Sequence, residues 1–452
     1  MQTGRTNLPR RRGVTRFSRE AIITQCSFRS QMILTVLVGT MIMALMECGS
    51  HRRGAMTSQS STSLCARWSA ASRVRAEGTV RFDHASRFPS VVESKHGLLV
   101  FGNDTPNLFP QAFPVSLLSI QGLDGAIALP AAGEFSYRVP FAVAHNSGRI
   151  SLLWSEADAQ GNATNTLAWS VGTAATIWVA EYSEELGWSQ PEQVFSGITW
   201  WNRYVVGRLA VEGDAAAIAA PAPPTALEPS AGIVALVRRG GKWSAVRIPL
   251  ENGAVSASPA LVDRTLVIVF IAAVSDGTSD RNSLQVVRAN LDDLRFEPQK
   301  LLVRGRSEPV VAATLIAGGT SALNLVYLQA VPNGMHKLVH ASLGPKDLVI
   351  TRRTEHSIAG HPQNLVGVAD QCGGVHVVFE NVDLQSGDGS LWYAYWRGEW
   401  RIVRALVELE RALDPTLHLG SDGNLRIAYS AQPRTAPAKS KYASYLSILV
   451  PD

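Results

Sequence analysis

The stretch Pro259-Ala260-Leu261-Val262-Asp263-Arg264-Thr265-Leu266-Val267-Ile268-Val269-Phe270 decides the fold. A proline leads an apolar run, a short polar break follows, and a second strongly apolar run ends on an aromatic. The phrase returns along the chain. Proline opens it at Pro89, Pro140, Pro259, Pro309, Pro362 and Pro415, at spacings of 51, 119, 50, 53 and 53 residues. The 119-residue interval holds two units, the second opening near Tyr204 without a proline. A period of about 50 residues built from short strands is the signature of a β-propeller, a ring of four-stranded blades.

The second run is the clearest element: Leu98–Phe101, Ile150–Trp154, Leu266–Phe270, Leu323–Tyr327, Val375–Phe379 and Leu425–Tyr429, with the small-residue run Ala215–Ala220 in the unit that lacks the proline. Apolar runs of this length without alternation fit strands covered on both faces, as packing between blades requires. Gly97, Gly148, Gly319, Gly374 and Gly423 precede most of these runs and mark tight reversals. Seven openings give seven blades, or six if one weak unit is a decorated insertion. The last unit has room for three strands only, and the alternating segment Gly78–Asp83 is expected to supply its fourth and close the ring. Trp188, Trp243 and Trp400 fall on outer strands, where they would cover the gaps between blades. The Pro- and Ala-rich stretches 221–229 and 433–439 read as surface insertions.

The formal charge of +5 hides an asymmetry. Residues 1–88 carry 14 arginines, no lysine and four acids, a balance of +10, so the remainder carries −5. A basic folded surface for nucleic acid is therefore not indicated. Within the leader, the apolar run Met32–Met46 follows Arg10, Arg11, Arg12, Arg16, Arg19 and Arg29. It is short for a membrane span and suits a signal peptide, so export is expected. Leu45-Met46-Glu47-Cys48 resembles a bacterial lipobox, which would make Cys48 a lipidation site and the only link to a membrane. The domain reading is a leader over 1–48, a flexible tether over 49–75, rich in Ser, Thr, Arg and Ala, and a propeller over 76–452. Cys372 is the one cysteine of the repeat region, so no disulfide can form inside that region; it reads as a small buried or turn residue, with a reactive thiol as the alternative.

Tyr137-Arg138-Val139-Pro140, then Phe141-Ala142-Val143, Gly148 and Ile150–Ala157, resembles the opening of the sialidase (neuraminidase) superfamily. Gly187-Trp188-Ser189-Gln190-Pro191 is similar to that family's blade-end phrasing, and Ser386–Trp392 is a broken echo of its Asp-box turn. The resemblance covers residues 135–195. It implies that Arg138 belongs to a cluster of arginines clamping a sugar carboxylate, a task suited to a guanidinium fork. Arg203, Arg306 and Arg411, each near the start of a unit, are the candidates for its companions. It further implies Asp158 as acid/base carboxylate and Tyr429 as nucleophile, the tyrosine needing a nearby Glu. The residues alone allow plainer readings. Tyr429 occupies the packing slot of Trp154, Phe270, Tyr327 and Phe379, and Asp158 lies in a polar turn.

Blade-opening residues converge on a propeller's central channel, which makes Arg138, Arg203, Glu308, His361 and Asp414 a mixed-charge ring. Such a ring binds a sugar or small anion, or satisfies itself through ion pairs. Trp201, beside Trp200 before a blade opening, is placed to stack on a sugar at the mouth, whereas the alternation of Trp392–Trp396 is that of blade packing. His336 and His340 lie on a strand-like segment, and no metal is expected there. No phosphate loop, nucleophile elbow or CxxC pair occurs, and no cofactor is implied. The sum is an exported, monomeric, sialidase-like propeller that binds carbohydrate or another surface ligand. An exo-glycosidase and a non-catalytic scaffold are the alternatives.

Overall fold

The runs of apolar residues form strands whose two faces are both covered. In the strand Thr265–Ala272, Leu266, Ile268 and Phe270 pack with Ala217, Ala235 and Val237 of the preceding sheet. The alternate residues Val267, Val269 and Ile271 pack with Leu315, Leu325 and Tyr327 of the following one. All six are at most 1% exposed, so period-two geometry turns a continuous apolar run into two packing surfaces.

The computed structural model describes residues 67–451 apart from 69, 72, 83–86, 95–96, 104–114, 120–126, 129–140, 146–147, 158–172, 184, 200–208, 223–230, 251–252, 273–281, 306, 319–321, 333, 384–388, 408–411 and 433–442. β1 (Val74–Phe82) comes first. A sheet follows from β2 (Arg87–Ser94), β3 (Gly97–Asn103), β4 (Val115–Ser119) and β5 (Ile127–Ala128). The next contains β6 (Phe141–Ala144), β7 (Ile150–Ala157), β8 (Thr173–Ser183), β9 (Gly187–Trp188) and β10 (Glu192–Thr199). β11 (Leu209–Glu212), β12 (Ala215–Ala222), β13 (Gly232–Arg239) and β14 (Lys242–Pro249) form the unit without a leading proline. β15 (Ala254–Val262), β16 (Thr265–Ala272), β17 (Leu284–Asn290) and β18 (Lys300–Val303) form the unit of the opening quotation. β19 (Val310–Gly318), β20 (Ala322–Ala330), β21 (His336–Leu343) and β22 (Ile350–Ile358) come next. They precede β23 (His361–Ala369), β24 (Val375–Val382), β25 (Gly389–Trp396) and β26 (Trp400–Val407). The chain ends with β27 (Leu413–Leu419), β28 (Leu425–Ala431) and β29 (Ala443–Pro451).

Among the described residues these strands make seven antiparallel sheets, six of four strands and one of five; five are meanders in chain order, in the sheet of β6–β10 both β9 and β10 pair with β8, and the last departs from chain order. There β1 adds to β29, from Val74 opposite Pro451 to Phe82 opposite Ser444. The pairing expected of Gly78–Asp83 is thus present and begins four residues earlier, at Val74. The architecture is all-β, built of four-stranded antiparallel sheets in the manner of a propeller.

The prolines have a local cause. The first strand of each meander is an edge strand, so a residue without an N–H costs no ladder bond on its open side. The register slips beside or across several of them: between Arg87 and Ser90, Val310 and Ala312, Gln363 and Val366, and Leu413 and Thr416. Bulges of this kind bend a strand and re-aim its side chains.

Two expectations need correction. The packed chain reaches back into the stretch 49–75: Trp68 (3% exposed), Ala71 and Val74 are buried against Tyr393, Tyr395 and Leu449. A tryptophan this large finds enough apolar surface on β25 to hold its segment in place, which composition alone did not register. Cys372 is not a free turn residue either, because it is disulfide-bonded. Its partner must come from Cys26, Cys48 or Cys65, the other cysteines of the chain, all of which lie outside the described residues. The leader over 1–48 lies outside them too.

Candidate functional site

The two sides of the sheets differ. On one side the first strand of each meander hands over to the second through a tight reversal. Asp263 and Arg264 there take positive φ (47° and 59°), as do Gly148, Gly213, Gly373 and Gly423 in the equivalent turns. On the other side the first strands begin, and there the second strands give way to the third. Those connections span 104–114, 158–172, 223–231, 273–283 and 432–442, with shorter ones at 331–335 and 383–388. Binding residues on a rigid sheet scaffold concentrate in such longer connections.

Between the sheets runs a cavity of about 400 Å³ lined by residues of all seven first strands, among them Val92, Ala142, Ala210, Ala260, Gly367 and Leu417. Most of the lining side chains are aliphatic, with Ser90, Thr416 and His418 among them, and a second set of polar side chains stands at the blade-opening rim. At that rim Glu380, near the end of β24, is completely buried. Its Oε1 accepts the Asp414 backbone N–H at 2.6 Å and Asn364 Nδ2 at 2.8 Å, and its Oε2 accepts Gln363 Nε2 at 3.0 Å. Burial first, and then the Asp414 charge, push the Glu380 carboxyl up to about 7. Asn364 and Asp414 both take left-handed backbone, with φ of 50° and 54°, a conformation that neighbouring bonds must hold for a non-glycine residue.

The same rim continues over β19–β22. Lys337 Nζ bonds both oxygens of Glu308, at 3.2 and 3.1 Å, and approaches Glu355 at 3.5 Å. Arg353 pairs with Glu355 at 2.6 Å and donates to Gln329 Oε1 at 3.2 Å. His361 meets His336 edge to face, with ring centroids 5.6 Å apart. The His336 Nδ1 is buried without a hydrogen-bond partner, and burial holds the His336 ring below its ordinary pKa. Lys337, by contrast, is held above its ordinary value by the Glu308 bond.

Of the residues singled out from sequence, Glu308, His361 and Asp414 stand at this rim. Glu308 is satisfied by Lys337 rather than by another blade-opening side chain. Arg138, Arg203, Arg306, Arg411, Asp158, Trp201 and Cys48 lie outside the described residues. Tyr429 does not belong to the site. It is 1% exposed, stacks on Tyr445 at 5.5 Å and 14°, and its hydroxyl lies 3.5 Å from Ser447 Oγ. Burial raises its pKa, and a hydroxyl sealed in the core cannot attack a substrate. The packing reading holds for it.

His336 and His340 are on the strand β21 as expected, but their environments differ. His340 stacks on Trp396 at 3.4 Å and bonds Asn324 Oδ1 at 2.9 Å. Among the described residues no group of three or more His, Cys, Asp or Glu side chains is placed to hold a metal. Tyr393 and Tyr395 are fully buried, in the blade packing that their alternation implied.

Glu380 was missed by motif reading. One signal could have found it. The residue after the strand-ending aromatic is Gly102, Ser155, Ile271, Leu328, Glu380 and Ser430 in the six aligned units, and only one of these is charged.

No protein-family model and no curated protein matches the chain. Solved structures do. A crystal structure of a polysaccharide lyase aligns with 84% of this chain and 100% of its own, at TM-score 0.51 and 10% identity. An ulvan lyase bound to a glucuronate–sulfated rhamnose ligand aligns over 80% of this chain and 95% of its own, at TM-score 0.47 and 9% identity. An α-L-arabinanase of Penicillium chrysogenum in complex with arabinobiose aligns over 68% and 92%, at TM-score 0.41 and 12% identity. At 10% identity the likeness to the first of these is one of fold alone, an all-β arrangement of four-stranded antiparallel sheets consistent with a propeller.

Proposed function

We propose that the chain is an exported, closed seven-bladed propeller that binds a carbohydrate polymer on its blade-opening face. Closure is supported by the β1–β29 pairing and by the contribution of all seven first strands to one cavity wall. The observation that carries the binding reading is the rim itself. Hydrogen-bonding side chains from three successive meanders (Glu308, Lys337, His361, Asn364 and Asp414) stand on the side where the first strands begin and the second strands give way to the third. Sugars are read by such directional donors and acceptors, and the similar folds named above include proteins that handle polysaccharides. Export agrees with the disulfide at Cys372, since such bonds persist in oxidising compartments. The reading is one of binding. Sialidase-type hydrolysis through Tyr429 is not part of it, because that hydroxyl is sealed in the core.

Affinity electrophoresis through gels cast with neutral and with acidic polysaccharides tests the proposal. Retardation by at least one polymer is expected, reduced about tenfold in affinity by His361→Ala or Glu308→Gln with melting temperatures little changed. Unretarded migration of the parent through every gel, or retardation of both variants equal to the parent's, overturns it.

A further inference from the structure

Trp68 and Cys372 stand at the two ends of one chain of contacts. The Trp68 indole lies edge-on to the His376 ring at 4.7 Å and packs on Tyr393 and Tyr395 at 6.0 and 5.9 Å. His376 Nε2 bonds Asp370 Oδ2 at 3.1 Å, and its Nδ1 bonds the Tyr393 hydroxyl at 2.6 Å. Asp370 Oδ1 in turn accepts the backbone N–H of Cys372 at 2.8 Å and of Gly374 at 2.7 Å. The Cys372 turn is thereby fixed to the pocket that holds Trp68.

We propose that the disulfide partner of Cys372 is Cys65. Three residues of chain reach about 11 Å at most, and a disulfide brings its two Cα atoms to about 4.4–6.8 Å. With Trp68 anchored beside His376, Cys65 is confined to the neighbourhood of the 370–374 turn. Cys48 is 17 residues further back from Cys65, and Cys26 lies beyond the apolar run Met32–Met46, so neither has a comparable local concentration. The bond forms when the two thiols give up two protons and two electrons by exchange with a disulfide donor, which leaves as the dithiol. The segment before β1 then becomes a covalent strap on the sheet of β23–β26. The inference does not depend on the carbohydrate reading.

Peptide mapping without reduction tests it, on full-length chain exported to an oxidising compartment. Arg52, Arg53 and Arg67 put Cys48 and Cys65 in different tryptic peptides, and Cys372 falls in the peptide ending at Arg397. The expected result is one reductant-sensitive cross-linked pair joining Cys65 to Cys372. A link to Cys48 or Cys26, or a free thiol at Cys372, overturns the proposal. Melting temperatures supply a second arm. Cys65→Ser, Cys372→Ser and the double variant are expected to fall by the same few degrees, with no loss for Cys48→Ser and no difference among them in dithiol reductant. A loss confined to Cys372→Ser, or losses that add in the double variant, contradict a shared bond.

Discussion

The carboxylate of Glu380 accepts the backbone N–H of Asp414 at 2.6 Å across two neighbouring sheets. This bond, with those from Asn364 and Gln363, ties the openings of β23 and β27 together and holds two left-handed residues in place. The carboxylate is completely buried, so the same geometry makes its charge expensive.

A pH dependence of stability follows from that cost. The folded-state value of about 7 lies above the ordinary 4.5. The contribution is therefore full below about pH 4.5 and is lost as pH rises through 7, by roughly 3 kcal/mol in all. In Glu380→Gln the amide oxygen still accepts from Asp414 and Asn364, and a flipped Gln363 accepts from the new amide nitrogen. Urea denaturation at pH 5, 6 and 7.5 is expected to show a decline in the parent that is absent in Glu380→Gln. Equal slopes in the two proteins contradict the assignment.

A second tie joins the sheet of β6–β10 to that of β11–β14. Arg238, 1% exposed, donates through Nε and Nη2 to the two oxygens of Glu181, at 2.8 and 3.2 Å, and through Nη1 to the Asp214 carbonyl at 2.7 Å. Ser151 Oγ also donates to Glu181, and it receives Trp243 Nε1 from the neighbouring sheet at 3.3 Å. Burial pushes the Glu181 carboxyl up, yet the Arg238 bond and charge outweigh it and hold the group below its ordinary value. Burial and the Arg238 charge hold the His145 ring, 2.7 Å from Ser151 Oγ, down at about 4. Arg238→Met leaves the carboxylate with Ser151 and the exposed Arg149, 3.6 Å away, as its partners and is expected to lose roughly 2–3 kcal/mol by chemical denaturation. Adding Glu181→Leu should restore most of it. A double variant as unstable as the single one argues that Arg238 acts through packing instead.

How much of this was legible follows from which features are periodic. Each meander repeats one pattern, so the strand positions, the small-residue run Ala215–Ala220 in the second strand of β11–β14 and the packing role of Tyr429 could be read by alignment of the chain on itself. Trp243 covering Leu153 and Ile177 of the preceding sheet was legible for the same reason. Features that occur once were not. Trp68 and the disulfide of Cys372 depend on where a non-repeating segment docks, and no period announces that. Glu380 is a single departure within a periodic column. Its cost and its partners appear only when bulged first strands bring Asn364 and Asp414 beneath it.

Gly367 tests how closely the first strands approach. It lies on β23 and lines the cavity. A Cβ built there would meet Ile316 Cδ1 at 2.5 Å, Val377 Cγ1 at 2.8 Å and the His376 carbonyl oxygen at 3.0 Å. Its backbone φ is not in the left-handed region, so the requirement for glycine comes from packing against the sheet of β19–β22 and not from conformation. Gly367→Ala is expected to lose roughly 1–3 kcal/mol, the usual cost of overfilling a packed interior. The nearest obstacle is the end of a flexible side chain, so Ile316→Val in the alanine background should recover part of the loss. The same Ile316→Val change alone should cost about 0.5–1.5 kcal/mol. Opposite signs for one substitution in two backgrounds, measured by urea denaturation, would place Gly367 and Ile316 in direct contact between neighbouring sheets. Equal losses in both backgrounds would show that the two sheets stand further apart than these distances require.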